Sequence, residues 1–169
     1  MKIESMEDLL LAEIQDLYDA EKRLVKALPK MADASNSTTL SQAFESHLIE
    51  TEGHVSRLET IFRTLGQDAK GETCDAMKGL ISEGDDVVSN TDVSPVRDAG
   101  LIAAANRVEH YEIAAYGSAR TFAQTLGLTE VASLLEQTLE EEKAADQKLT
   151  RIAESMVNDE ALQGRAAGR

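Results

Sequence analysis

Apolar residues recur along this chain at intervals of three and four, the spacing of one helical face. Leu10, Ile14, Leu17, Leu24, Leu28 and Met31 form the first row and predict a helix from Ser5 to about Ala34, with Ser5 and Asp8 at its start. Pro29 falls inside that row, where its missing donor predicts a kink or a shortened ladder. Ser35-Asn36-Ser37 reads as a turn, and Thr39 with Gln42 as a capping box. A second helix follows from about Leu40 to Leu65, with Phe44, Leu48, Val55, Leu58, Phe62 and Leu65 as its row and Gly66 as its stop. Residues 66–94 are rich in glycine and acids and carry one short amphipathic piece from about Cys74 to Ser89. Ser94-Pro95 opens a third long helix, to about Leu126, by the pattern of a capping Ser with Pro at the first position. Thr129 reads as the cap of a fourth, running to about Val157 with Val131, Leu135, Thr138, Leu149, Ile152 and Met156 inward. The polar stretch 158–169 reads as a disordered tail.

Two helical hairpins joined by a long crossover with its own short helix are the topology of a ferritin-like four-helix bundle. The expected fold is therefore all-α, with residues 1–157 as one domain. The composition agrees, being rich in Ala, Leu and Glu with two prolines, and no run alternates as a strand would.

Within the helical rows, acids stand where Leu or Ile is expected. Glu21 does so in the first helix, Glu109 and Glu112 in the third, and Glu142 in the fourth, with Asp146 one turn later. In the second helix His47, Glu50 and His54 share a stripe flanking the apolar row. An ionised carboxylate is too costly to bury without a partner, so such acids are paired or bound to metal. Carboxylates bridge two ions and neutralise them, while imidazole supplies a terminal nitrogen suited to iron. The expectation is a dinuclear metal site, with iron favoured and manganese as the alternative for so carboxylate-rich a set. Taken singly, each acid fits a solvated face better, and His47 or His54 alone fits a hydrogen-bonded core-edge residue. The joint pattern over four helices favours the site. Glu52, His110, Glu140 and Glu141 are placed outside, and Tyr18, Tyr111 and Tyr116 are read as aromatic packing rather than as donors to the site.

The pattern departs from a Glu from each of two helices plus Glu-x-x-His from each of the other two. The second helix offers His47-x-x-Glu50 and Glu50-x-x-x-His54, and the fourth has no His at all. One regularity supports convergence: Glu21 to His54 and Glu109 to Glu142 both span 33 residues. In hairpins of similar loop length, equal spans place the pairs at similar heights.

The formal net charge of −14 argues against a nucleic-acid partner, since such binding rests on neutralising phosphates. Cys74 is the only cysteine, so no intrachain disulfide forms, and it reads as an unremarkable thiol in a reducing compartment. Neither a signal-peptide stretch nor a window of about 18 apolar residues is present, and a cytoplasmic protein is expected. Without a Cys-x-x-Cys pair, electrons come from an external donor or the chemistry is a two-electron peroxide reaction.

Val108-Glu109-His110-Tyr111-Glu112-Ile113-Ala114-Ala115-Tyr116-Gly117 resembles the signature of the YciF-like family of bacterial ferritin-like proteins. Leu17-Tyr18-Asp19-Ala20-Glu21-Lys22, His47-Leu48-Ile49-Glu50-Thr51 and Leu139-Glu140-Glu141-Glu142-Lys143-Ala144-Ala145-Asp146 extend the resemblance over roughly residues 3–157. It implies a rubrerythrin-like bundle, a homodimer, a dinuclear metal site and a link to stress response. Glu109 and Glu112 match the Glu-x-x-Glu of rubrerythrin-type third helices, and in the second helix the resemblance rests on His47 and Glu50 more than on His54. Three functions are expected from this: a dimetal stress protein reacting with peroxide or oxygen or scavenging metal, a helical interaction protein, or a manganese catalase-like enzyme.

Overall fold

The computed structural model describes residues 2–166. They form α1 (Met6–Ala34), α2 (Thr38–Thr64), α3 (Asp75–Ser89), α4 (Pro95–Thr125), α5 (Thr129–Ile152) and α6 (Asn158–Ala166), with no strand among them. None of these helices is long and apolar enough to cross a membrane.

Helix ends follow their local chemistry. At α1 the Asp8 N–H donates to Ser5 Oγ at 3.0 Å, while Ser5 N–H donates back to Asp8 Oδ2 at 3.0 Å. α1 then runs unbroken past Pro29. α2 and α4 both end on glycines with positive φ, Gly66 at 66° and Gly127 at 72°. In each case the residue after glycine donates back to the third-last helical carbonyl, Gln67 to Phe62 and Leu128 to Ala123, both at 2.9 Å.

Two predicted caps are corrected. α2 is capped by Ser37, whose Oγ accepts the Leu40 N–H at 3.4 Å, rather than by Thr39 with Gln42. The reason lies in another helix. Buried Asp98 of α4 accepts the N–H groups of Asn36 and Ser37 at 2.7 and 2.8 Å, which fixes the turn two residues earlier. At α5, Thr129 is already helical and Leu128 stands before it without a side-chain cap bond. The chain also stays helical past 157: a π-helical turn, Ala153–Val157, leads into α6, which packs against α4. The stretch read as a tail is thus helical to Ala166, running on through Gly164 from the buried Val157. Residues 167–169 of that reading lie outside the described residues.

The bundle neighbours are α1 with α2, α4 with α5, α1 with α4, and α2 with α5. Leu24 and Leu28 share a cluster with Leu101 and Ala105, whereas Leu10 and Ile14 share another with Ala119 and Ala123. That order makes α1 and α4 antiparallel. The crossover is pinned to α1, the Glu72 N–H donating to Gln15 O at 3.2 Å and the Cys74 N–H to Asp19 Oδ2 at 2.8 Å. Cys74, fully buried, caps α3 through Sγ and lies 3.0 Å from Tyr111 Oη, so it is a built-in part of the crossover. α3 lies close against α4. A Cβ on Gly100 would come within 2.7 Å of Val87 Cγ1.

The apolar core is therefore split into two clusters, one toward each end of the bundle. Between Leu17 and Leu24 of α1, and between Val108 and Tyr116 of α4, the buried residues include Glu21, Glu109 and Glu112. A polar layer crosses the middle of the molecule.

Asp98→Ala removes two charge-assisted bonds and leaves two N–H groups without a partner, so it is expected to lower unfolding free energy by about 2–4 kcal/mol. Denaturant titration checks this, with exposed Asp85→Ala expected within about 0.5 kcal/mol of the parent. An Asp98→Ala protein as stable as the Asp85→Ala control would show that the α4-to-α2 tie contributes nothing.

Candidate metal centre

Four helices deliver six side chains to the polar layer. Glu21 comes from α1, His47 and His54 from α2, Glu109 and Glu112 from α4, and Glu142 from α5, all 6% exposed or less. They form two overlapping groups, His47–Glu109–Glu112–Glu142 and Glu21–His54–Glu142, within each of which ligand atoms lie within 4.8 Å of one another. Glu142 belongs to both. Its Oε1 is 3.0 Å from His54 Nδ1, and its Oε2 is 3.6 Å from His47 Nε2. Glu21 Oε1 approaches His54 Nδ1 at 3.3 Å and Glu109 Oε1 approaches His47 Nε2 at 3.4 Å. The two matched 33-residue spans thus end in one place.

The atoms turned inward lack hydrogen-bond partners. Glu21 Oε2, His47 Nε2, His54 Nδ1, Glu109 Oε2 and both carboxylate oxygens of Glu112 and Glu142 are buried without one. Buried polar atoms are normally satisfied, so orphans converging on one point call for a ligand. Carboxylate oxygens and imidazole nitrogens are a donor set for iron or manganese, and this buried His/Glu group fits a metal ion.

Outward-facing atoms, in contrast, are held. His47 Nδ1 pairs with Glu50 Oε2 at 3.1 Å, and His54 Nε2 with Glu141 Oε2 at 2.9 Å. Arg57 grips Glu141 with both Nη atoms, at 2.8 and 3.1 Å, and donates to Thr138 Oγ1 at 2.5 Å. Tyr116 Oη donates to Glu21 Oε1 at 2.6 Å. Each histidine thus turns one nitrogen inward and gives the other to a carboxylate, the arrangement that orients metal-binding imidazoles.

The electrostatics are those of acids crowded out of water. Burial pushes Glu109 and Glu112 well above the usual carboxylate range, and the Glu142 charge pushes both further. Burial also raises Glu21, partly offset by His54. Burial opposes charge on His54 too, but Glu142 and Glu21 outweigh it and push the imidazole up to about 10. Burial would likewise raise Glu142, yet the His54 imidazole 3.0 Å away holds it below the usual value. One ion pair therefore forms inside, and the remaining acids resist ionising.

Of the eight residues singled out in the sequence, six meet in this layer. Glu50 does not: its side chain is 46% exposed and it touches the site only through His47. Asp146 stands aside too, accepting from Asn106 Nδ2 at 2.6 Å and lying 3.2 Å from His110 Nε2. His54, the weakest expectation, is fully buried. Glu141, expected on the outside, is half-exposed there and also supports His54. Arg57 and Thr51, a buried hydroxyl between the two histidines on α2, were not anticipated. Tyr116 bonds a site carboxylate, whereas Tyr18 bonds Glu59 and Tyr111 bonds Asp16, both away from the site.

Comparison with known proteins agrees with this architecture. A family model described as a domain of unknown function, DUF892, matches residues 5–162. The chain is 46% identical over 162 residues to Protein YciF of Escherichia coli strain K12, covering 95% of this chain and 98% of that one. The crystal structure of the E. coli stress protein YciF superposes with a TM-score of 0.88 at 46% identity, over 92% of this chain and 99% of that one. YcfI from Rhodopseudomonas palustris superposes with a TM-score of 0.86 at 44% identity, over 88% and 95%. A Xanthomonas campestris protein at 23% identity shares the fold, with a TM-score of 0.73 over 96% and 99%.

Glu112 yields a pH-dependent prediction. Its folded-state value lies above the roughly 4.3 of an unfolded Glu, so its stabilising share is complete below that pH and is lost as pH rises through the folded value. In chelator-stripped protein Glu112→Gln should therefore raise unfolding free energy at pH 8 by about 1–3 kcal/mol, with the gain shrinking toward pH 4. Thermal unfolding across that range measures it. A stripped Glu112→Gln protein less stable than the parent at pH 8 would contradict the buried-acid account.

Proposed function

The chain belongs to the DUF892 family, and on that footing we propose that it is a dimetal-binding stress-response protein of the YciF type. The observation that carries the reading is Glu142, whose two oxygens reach toward two separate His–carboxylate groups. A single carboxylate between two such groups is suited to bridge two ions. His47, Glu109 and Glu112 would hold one ion and Glu21 with His54 the other.

Two iron or manganese ions held there would supply redox chemistry toward a small oxidant such as peroxide or oxygen. The chain's own residues set the conditions for it. The two apolar clusters keep bulk water from both sides of the layer. Tyr116 fixes the Glu21 carboxylate by donating to Oε1, which leaves Oε2 free to ligate. Arg57 fixes Glu141, and Glu141 fixes His54. Protons held by Glu109 and Glu112 leave as a cation replaces them, so metal affinity rises with pH. The sole cysteine is buried in the crossover, so single electrons, where needed, come from a separate donor.

Manganese is the second metal reading, supported by four carboxylates against two imidazoles in the layer. Elemental analysis of untagged protein, reloaded with iron(II) or manganese(II) after chelation, tests the proposal. About two ions per chain are expected, about one in His54→Ala and well below one in Glu142→Ala. Metal retained at parental levels in Glu142→Ala would remove the bridging role. A folded parent that takes up no metal would favour a non-enzymatic interaction protein.

A further inference from the structure

The two halves of the metal centre differ in how they meet the outside. Glu21, His54, Glu112 and Glu142 are completely buried, whereas His47 and Glu109 retain 6% and 2% exposure. His47 and Glu109 also line a cavity of about 130 Å³ between α2 and α5, and neither Glu21 nor His54 does. Phe44 and Ala144 form its walls, and Glu50, Glu141 and Lys148 stand around it with exposed or half-exposed side chains.

Size and charge restrict what passes. The volume is well below the roughly 300–1,000 Å³ that encloses a drug-sized organic ligand, so only ions and very small solutes fit. Lys148 stands beside Glu50 at the mouth and Arg57 pairs with Glu141, so the pull on cations comes from the chain's formal charge of −14 rather than from a local excess of acid. Such a field raises the local concentration of cations. Glu50 bonds the outward nitrogen of His47, so a carboxylate runs from the surface directly to a site ligand.

We propose that this cavity is the loading route for divalent cations, which fill the His47 half first and reach the His54 half through Glu142. The inference rests on the dimetal reading above and adds direction to it. Glu50 is a positioning residue that holds His47 and offers a transient oxygen at the mouth. Glu142 is the transfer point, because its two oxygens face the two halves. Lys148 opposes entry by its charge.

Stopped-flow mixing of the stripped full-length protein with cobalt(II), followed by the absorbance of the coordinated ion, tests the route. The parent is expected to load in two phases, and His54→Ala to keep only the first. Ala144→Phe, a plug on the cavity wall, should slow both phases at least tenfold with the final amplitude unchanged. Ala103→Phe, at an exposed α4 position, should load at the parental rate. Lys148→Glu, a surface change independent of any packing effect of the plug, should speed the first phase severalfold at low ionic strength, with the gain fading as salt rises. Parental rates in Ala144→Phe at full amplitude, or a slower first phase in Lys148→Glu, would overturn the route while leaving the site intact. A folded parent that coordinates no cobalt would instead defeat the dimetal reading and the route together.

Discussion

Four carboxylates and two imidazoles share one buried layer in the middle of this bundle, and the rest of the structure is arranged around keeping them there. Placed in water, none of these groups would constrain the fold. Buried together, they cost free energy unless each charge meets an opposite one or a cation. His54 and Glu142 form one internal pair, but Glu21, Glu109 and Glu112 exceed what two imidazoles can balance. The helices that carry them are locked in register by contacts remote from the layer. These are the Asp98 tie between α4 and α2, the glycine stops at Gly66 and Gly127, and the crossover pinned on α1. A strained polar layer inside a firmly capped scaffold is what preorganised cation binding requires.

The distribution of ligands differs from a Glu-x-x-His on each of two helices. Here α2 supplies both imidazoles and α5 supplies a carboxylate with Glu141 beside it. His47 and His54 are two turns apart, a rise of about 10 Å along α2. Their ring centroids are nonetheless only 6.3 Å apart, because both side chains lean toward Glu142. The nitrogen turned inward is Nε2 in one ring and Nδ1 in the other, each set by the carboxylate on its outer side. The His54 half is completely buried and braced through Glu141 and Arg57, while His47 and Glu109 of the other half line a small cavity. Two chemically similar groups are thereby made inequivalent.

Much of this was legible in the sequence because the acids interrupt apolar rows. Glu21, Glu109, Glu112 and Glu142 stand out for that reason alone, and Gly66, Gly127 and Ser94-Pro95 mark the helix ends they predict. The second helix was harder to read. Taking Leu48 and Val55 as core turns the apparent face by about 40°, at roughly 100° per residue, and that rotation leaves His47, Glu50 and His54 together on its flank, where their spacing alone does not separate them. Leu40, Ala43, Leu58 and Ile61 are the truly buried positions, and they centre the face on His47 and His54. Glu50 then falls just outside it. Glu141 was unreadable for a different reason. Its role depends on Arg57 and His54 reaching it from another helix, and no spacing within α5 records that.

In the proposed centre Glu142 lies between two ions. Anomalous diffraction from crystals of the iron- or manganese-loaded protein tests it most directly. Two peaks about 3.5–4 Å apart are expected on either side of the Glu142 carboxylate, one beside His47 and one beside His54. A single peak, or peaks located instead at the His110–Asp146 pair on the surface, would contradict it.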